Sequence, residues 1–149
     1  MATVVHHYLR GGDLLIMGCG GASVLEGMEE QGFKSVLGID LSQEAIRLAS
    51  RFASDKVSFQ LADMVEFECT HPYDLILFSE SLYYVPLAAQ ESFLRRLAVH
   101  LKPGGVFVAT FAQAKRYKKM IDGIRLNFAV LEDRTFTGSS RHLMVFNSR

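Results

Sequence analysis

Residues 14–23 read Leu14-Leu15-Ile16-Met17-Gly18-Cys19-Gly20-Gly21-Ala22-Ser23. Four apolar residues run directly into a Gly-x-Gly-Gly turn, and a helical pattern follows. This order is typical of a buried strand that ends in a loop whose backbone approaches a ligand. Glycine suits such a loop because a Cβ atom would block both the positive-φ conformations and the close approach. The stretch therefore predicts the first strand and the binding loop of an α/β fold.

A second apolar run, after the glycine loop, ends in an acidic residue. It reads Val36-Leu37-Gly38-Ile39-Asp40. A carboxylate at the end of such a strand can accept hydrogen bonds from both hydroxyls of a ribose. Together the two segments predict a pocket for a nucleoside-bearing cofactor.

Length and composition favour one cytoplasmic domain that spans residues 1–149. Hydrophobic residues make up 49% of the 149, enough for a sizeable core. No apolar run approaches the roughly 18 residues that a membrane span needs, and His6, His7 and Arg10 interrupt any signal-peptide pattern. The two cysteines, Cys19 and Cys69, show no metal-ligand spacing, so we expect neither a zinc site nor a disulfide.

Charge is distributed unevenly along a chain whose formal net charge is zero. Residues 1–94 hold 5 basic and 13 acidic residues, whereas residues 95–149 hold 11 basic and 3 acidic residues. The densest basic stretch is Lys115-Arg116-Tyr117-Lys118-Lys119. Two interpretations stay open for it: a solvated helix face, or a docking surface for nucleic acid or another acidic partner.

Apolar runs alternate with helical patterns, which predicts a doubly wound, mostly parallel sheet with crossover helices. The predicted strands cover residues 13–17, 35–39, 57–61, 73–78 and 106–111. The predicted helices cover residues 22–31, a segment that begins at the N-cap Ser42, residues 87–101, and a basic helix with Met120, Ile121 and Ile124 inward. A turn is expected at residues 102–105. Residues 128–136 and 142–147 predict a C-terminal antiparallel hairpin.

Four segments resemble, in order and spacing, the class I S-adenosylmethionine-dependent methyltransferases. They are Gly18-Cys19-Gly20, Gly38-Ile39-Asp40-Leu41-Ser42, Phe59-Gln60-Leu61-Ala62-Asp63-Met64 and Leu101-Lys102-Pro103-Gly104-Gly105. The resemblance covers residues 14–146. It implies a Rossmann-like sheet of seven strands that ends in the antiparallel hairpin, with S-adenosylmethionine as cofactor and S-adenosylhomocysteine as product.

The resemblance also implies a role for individual residues around the cofactor. These are Gly18, Cys19 and Gly20 at its amino-acid end, Asp40 on the ribose hydroxyls, Leu41 on one adenine face, Asp63 on the adenine amino group, Met64 at the ring edge, and Ser79 beside the sulfonium. Two of these residues have an alternative interpretation. Asp40 could instead support the cap of the following helix, and Asp63 could be a turn residue.

The activity implied is in-line transfer of a methyl group to an oxygen or nitrogen of a small-molecule acceptor. The protein then supplies mainly alignment and exclusion of water. A general base is needed only if the acceptor is protonated, and Glu80 is the first candidate, with Tyr84 second. Glu80 could instead only cap a loop or hold a water, and Tyr84 could be a core aromatic residue. Residues 79–85 resemble small-molecule members of the family, including the sugar-amine N-methyltransferases of nodulation-factor synthesis. The chain has no Asn-Pro-Pro-Tyr motif, which lowers the expectation of base N-methylation.

Three departures from the family pattern keep an alternative open. Ile16 stands where the family usually has an acid, Ala22 stands where it has a glycine, and few residues precede the first strand. A non-catalytic binding or scaffold subunit with the same fold is therefore the alternative function. A nicotinamide oxidoreductase is disfavoured, because Ser23 occupies the position of its third glycine.

Overall fold

The computed structural model describes residues 1–28 and 32–149, and its helices lie on both faces of one sheet. The strands are β1 (Asp13–Met17), β2 (Ser35–Asp40), β3 (Val57–Leu61), β4 (Tyr73–Ser79), β5 (Leu101–Phe111), β6 (Ala129–Thr135) and β7 (His142–Asn147). The α-helices are α1 (Ala2–Leu9), α2 (Gln43–Ala49), α3 (Gln90–Ala98) and α4 (Lys118–Asn127). Short 3₁₀ turns cover Ser23–Gly27, Ser50–Phe52, Leu82–Tyr84 and Leu87–Ala89. In the part of the chain that is described, no helix has the length and apolar character to cross a membrane.

The strands lie in the order β3-β2-β1-β4-β5-β7-β6. The first five strands are parallel, and β7 is antiparallel to both β5 and β6. This confirms the predicted doubly wound, seven-stranded sheet with its C-terminal hairpin. The winding direction reverses between β1 and β4. Ligands of open α/β sheets bind at such a switch point, outside the carboxyl ends of the strands.

The core is divided by the sheet into two apolar clusters. One cluster joins the sheet to α3 and α4, whose Leu94, Leu97 and Ile124 are buried. The other joins the opposite face to α1, α2 and the turn Ser23–Gly27. All five residues of β1 are buried, as expected for a central parallel strand covered on both faces.

The helix predicted over residues 22–31 is wrong in the part that is described. Ala22 has a left-handed backbone (φ 55°), and only the 3₁₀ turn Ser23–Gly27 follows it. Met28 already has an extended backbone, so no continuous helix runs from residue 22 to residue 28. The predicted end at Gln31 lies outside the described residues.

The helix predicted over residues 87–101 ends too late, and β5 begins earlier than expected. The α3 segment stops at Ala98 because the carbonyl of His100 accepts the Tyr73 amide at 2.7 Å, which draws this residue to the start of the pairing between β4 and β5. The expected turn at residues 102–105 lies within β5. It is accommodated as an irregularity in the register, since Tyr73 pairs with Leu101 and Leu75 pairs with Val106.

The sequence patterns missed α1, which precedes the first strand. Its Val4, Val5 and Leu9 are buried, and the Tyr8 hydroxyl donates to Glu132 Oε1 on β6 at 2.8 Å. The helix has only eight residues, and His6 and His7 interrupt its apolar residues, so the sequence shows no clear helical periodicity. By contrast, the boundaries of β1, β3 and β7, the Ser42 N-cap and the inward face of α4 are confirmed.

Candidate cofactor and acceptor site

A cleft of about 750 Å³ opens at the carboxyl ends of β1 to β4, where the winding of the sheet reverses. This volume is within the range of small-molecule sites. The cleft is lined by Gly18, Gly20, Asp40, Leu41, Ser42, Ala45, Ala62, Asp63, Met64, Val65, Ser79, Glu80, Ser81 and Tyr84. The structure therefore brings every residue predicted for the site to one cleft, except Cys19.

Cys19 does not line the cleft with its side chain, and a contact between its backbone and the cofactor stays a prediction. The side chain packs into the cluster on the α1 face and is 8% exposed, and its Sγ donates to the Gly20 carbonyl at 3.5 Å. Burial, together with the charge of Asp40, raises the pKa of the thiol to about 12. A thiol that stays protonated is not a nucleophile at neutral pH.

Gly18 marks a close approach of two chain segments. Its backbone is left-handed (φ 70°), and a Cβ atom at this position would lie 2.7 Å from the Cβ of Ser81. Ser81 is buried and donates its hydroxyl to the Met17 carbonyl at 2.5 Å. This pair fixes the end of β1 against the segment after β4. No local sequence pattern indicated this role of Ser81, apart from its place next to Glu80.

Asp40 connects the glycine loop to the start of α2. Its Oδ2 accepts the Gly20 amide at 2.8 Å, and its Oδ1 accepts the Ser42 amide at 2.9 Å. The Ser42 hydroxyl in turn caps α2 by accepting the Ala45 amide. Asp40 therefore lies at the strand end as expected, and its side chain also supports the cap of α2, as the alternative interpretation predicted.

Ile16 is 1% exposed and packs into the cluster on the α1 face. The glycine loop is held by other groups, because the Cys19 amide donates to the Ile39 carbonyl at 2.8 Å and the Gly20 amide donates to Asp40. An acid at position 16 is therefore not required to fix this loop.

The residues expected near an adenine, Leu41, Asp63 and Met64, also line the cleft. Leu41 is 72% exposed and lines the cleft with its apolar side chain. Asp63 accepts the Val65 amide with Oδ1 at 2.8 Å, so the turn interpretation also holds for this residue.

Glu80 follows β4 with a left-handed backbone (φ 58°), which is uncommon for a residue with a side chain and typical of functional sites. Its Oε2 accepts the Ala112 amide at 2.5 Å. Tyr84 lines the cleft and is 72% exposed. Beside it, burial and the charge of Glu80 raise the pKa of Tyr83 to about 12, so this hydroxyl stays protonated.

The basic stretch 115–119 begins next to these aromatic residues. The ring of Tyr117 stacks on Tyr83 at 4.3 Å, and the Arg116 guanidinium lies 5.5 Å from the Tyr117 ring centre. Lys118 pairs with Asp122, while Lys115 and Lys119 are exposed.

Comparison with known families decides the classification of the fold and its cleft. Residues 14–105 match the family model described as "Methyltransferase domain". The chain belongs to the methyltransferase domain family. The predicted resemblance is thereby confirmed at the level of the family.

This methyltransferase domain has relatives among curated proteins and solved structures. It is 37% identical over 111 residues to a ubiquinone biosynthesis O-methyltransferase of Azoarcus sp. (strain BH72). This alignment covers 70% of this chain and 46% of that protein. A protein of the same name from Nitrosospira multiformis is 36% identical over 111 residues (70% and 45%). The chain thus spans about half the length of the curated relatives it matches.

Among solved structures, the methyltransferase domain is similar to the N-methyltransferase NodS from Bradyrhizobium japonicum WM9 in complex with S-adenosyl-l-homocysteine. The TM-score is 0.79 and the identity 21%, with 98% of this chain and 84% of that chain covered. At this identity the likeness establishes the fold.

Proposed function

We propose that this methyltransferase domain binds S-adenosylmethionine in the cleft and transfers its methyl group to an oxygen or nitrogen of a small-molecule acceptor. The observation that carries the proposal is the fixed position of Asp40 at the switch point of the sheet. Two backbone amides hold its carboxylate, one from the glycine loop and one from the start of α2.

The residues of the cleft fit a nucleoside-bearing cofactor. Each carboxylate oxygen of Asp40 accepts one backbone amide and keeps the capacity for a further bond, which suits a ribose diol. Leu41 offers an exposed apolar side chain that a planar base can cover. Apart from its own chain neighbours, no atom of the described residues lies within 4 Å of the position of a Cβ on Gly20, so a ligand can approach this backbone.

When bound, the cofactor supplies a methyl group on a positively charged sulfur, which needs no further activation. The chain contributes alignment of the acceptor and exclusion of water. Glu80 is the first candidate to take a proton from the acceptor, through Oε1, because the hydrogen bond from the Ala112 amide makes Oε2 the less basic oxygen. Tyr84 is the second candidate, since it lines the same cleft.

The acceptor class rests on the relatives. The curated proteins are named for O-methylation in ubiquinone biosynthesis, and the structural neighbour NodS is an N-methyltransferase. Both names support a small-molecule acceptor and leave the choice between oxygen and nitrogen to experiment. Steep salt dependence of binding would instead favour an acidic partner or nucleic acid on residues 115–119.

Calorimetric titration of the purified chain with S-adenosylhomocysteine and S-adenosylmethionine tests the proposal. We expect wild-type binding and a loss of about 10-fold to 100-fold in affinity for Asp40→Ala, because charged hydrogen bonds contribute about 1.5–3 kcal/mol each. Asp55→Ala is the matched control, since this exposed acid lies outside the cleft. Wild-type protein that binds neither compound would favour the scaffold alternative. Equal losses for both variants would contradict the assignment of Asp40.

A further inference from the structure

The left-handed backbone of Glu80 requires support from elsewhere in the fold. An L residue pays about 1–2 kcal/mol in this conformation, so it persists only where surrounding contacts fix it. Glu80 has φ 58° at the carboxyl end of β4 and lines the cleft. The contacts that hold it come from two segments that are distant in sequence.

The first contact comes from β5. Thr110 is opposite Ser79 in the parallel pairing of β4 and β5, and it is 6% exposed. Its hydroxyl oxygen accepts the Glu80 amide at 3.1 Å. Because Glu80 has a left-handed backbone, its amide does not follow the regular hydrogen-bonding pattern of the strand. The Thr110 hydroxyl provides the acceptor that this amide needs.

The second contact is a hydrogen bond from the backbone of Ala112 to the side chain of Glu80. The Ala112 amide donates to Glu80 Oε2 at 2.5 Å. The Ala112 carbonyl accepts the Ser140 hydroxyl at 2.8 Å, and the Ser140 carbonyl accepts the Ala114 amide at 2.9 Å. The loop between β6 and β7 therefore fixes the segment that holds the carboxylate.

The two carboxylate oxygens of Glu80 differ in their hydrogen-bond partners. Oε2 is occupied by a backbone amide, whereas Oε1 has no hydrogen-bond partner within residues 1–28 and 32–149. We propose that Thr110 and Ser140 are positioning residues that hold Glu80 with Oε1 available to the acceptor in the cleft. The functional part of this inference rests on the proposed methyl transfer, whereas the contacts themselves can be tested without a ligand.

Amide NMR of the full chain tests the positioning directly. A charge-assisted hydrogen bond shifts the Ala112 amide proton downfield. We expect Glu80→Gln and Thr110→Val to move this signal upfield, whereas Thr110→Ser restores it because serine keeps the accepting hydroxyl. Ser140→Ala is expected to move the signal in the same direction. The matched control is Ser139→Ala, whose hydroxyl accepts the Arg141 amide within the same loop.

The outcomes separate this inference from the proposed function. A wild-type Ala112 signal in both Thr110→Val and Ser140→Ala overturns the inference, even if the chain binds S-adenosylhomocysteine. An upfield shift in Thr110→Val that Thr110→Ser reverses supports it, even if no cofactor binds. With a methylated acceptor in hand, we expect Thr110→Val to lower kcat by about 10-fold or more with little change in the KM of the cofactor, since small misplacements of catalytic groups are costly. An unchanged kcat would contradict the functional part alone.

Discussion

Gly18 and Gly20 share a left-handed backbone but differ in their surroundings. A Cβ on Gly18 would lie 2.7 Å from Ser81 Cβ and 3.1 Å from Met64 Cε, whereas a Cβ on Gly20 would have no neighbour within 4 Å among residues 1–28 and 32–149 beyond the adjacent residues. We therefore expect Gly20→Ala to lower the free energy of unfolding by about 1–2 kcal/mol through backbone strain. Gly18→Ala should cost about 1–3 kcal/mol more through the clash. Urea unfolding of both variants measures the difference.

Removing the clashing side chain provides the control for this comparison. In a Ser81→Gly background, most of the extra cost of Gly18→Ala should disappear, because the nearest atom is gone and the remaining neighbour, Met64 Cε at 3.1 Å, is the end of a flexible side chain. Equal losses for Gly18→Ala and Gly20→Ala in the wild-type background would show that Ser81 does not restrict this position.

Single residues were predictable where the signal is local. The glycine loop and Asp40 follow apolar runs directly, so their place at strand ends could be inferred from neighbouring residues. Ser81 and Thr110 could not, because their contacts join residues 64 and 30 positions apart. The buried side chain of Cys19 was also unpredictable, since the same loop sequence allows a side chain to face either the cleft or the core.

At the scale of elements, Lys102 joins the starts of three strands. Its Nζ lies 2.5 Å from Asp13 Oδ2 on β1 and 2.7 Å from Asp74 Oδ2 on β4. Burial raises the pKa of Asp13, but hydrogen bonds from Lys102 and Ser35 outweigh it and leave this pKa below its usual value. We expect Lys102→Met to cost about 2–3 kcal/mol at neutral pH, because Asp74 loses its cation and Asp13 keeps only the longer contact with Lys34 at 3.7 Å.

Unfolding by urea at several pH values checks this expectation. Asp13 stabilises the fold while it is ionised, so its contribution is lost as the pH falls through its lowered pKa. The difference between wild type and Lys102→Met should therefore narrow below about pH 4. Lys115→Met is the control, because this exposed lysine has no ion pair in the described residues, and a surface substitution changes stability by about 0.5 kcal/mol or less. A loss of that size for Lys102→Met would contradict the argument.

Strands were easier to predict than helices for a physical reason. A buried parallel strand has a continuous apolar sequence, so β1 was found with correct boundaries. The edge strand β3 was found through its alternation of apolar and polar residues over 57–61. Helical periodicity over residues 22–31 did not decide between an α-helix and a 3₁₀ turn. The end of α3 depends on the Tyr73 amide. This residue is distant in sequence, so the apolar pattern of residues 87–101 does not indicate where the helix ends.

At the scale of the whole molecule, the hairpin and α4 are coupled through a buried histidine. His142 at the start of β7 is 4% exposed, and its Nδ1 lies 2.8 Å from Thr135 Oγ1 on β6. Its Nε2 is 3.0 Å from Asp133 Oδ1, and Arg125 on α4 pairs with the same carboxylate. Burial, together with the charge of Arg125, lowers the pKa of His142 despite the nearby acid.

This lowered pKa predicts how the stability of the domain depends on pH. The unfolded chain binds a proton at His142 as the pH falls through 6.5, whereas the folded protein does so only at lower pH. The free energy of unfolding should therefore fall between about pH 7.5 and about pH 5, above the range in which carboxylates titrate. Because the unfolded protein gains no such proton in His142→Gln, this variant should lose less stability over the same range. Thermal unfolding of both proteins measures the two slopes. Equal slopes would show that His142 takes up its proton alike in both states, and that the network joining α4, β6 and β7 does not oppose its charge.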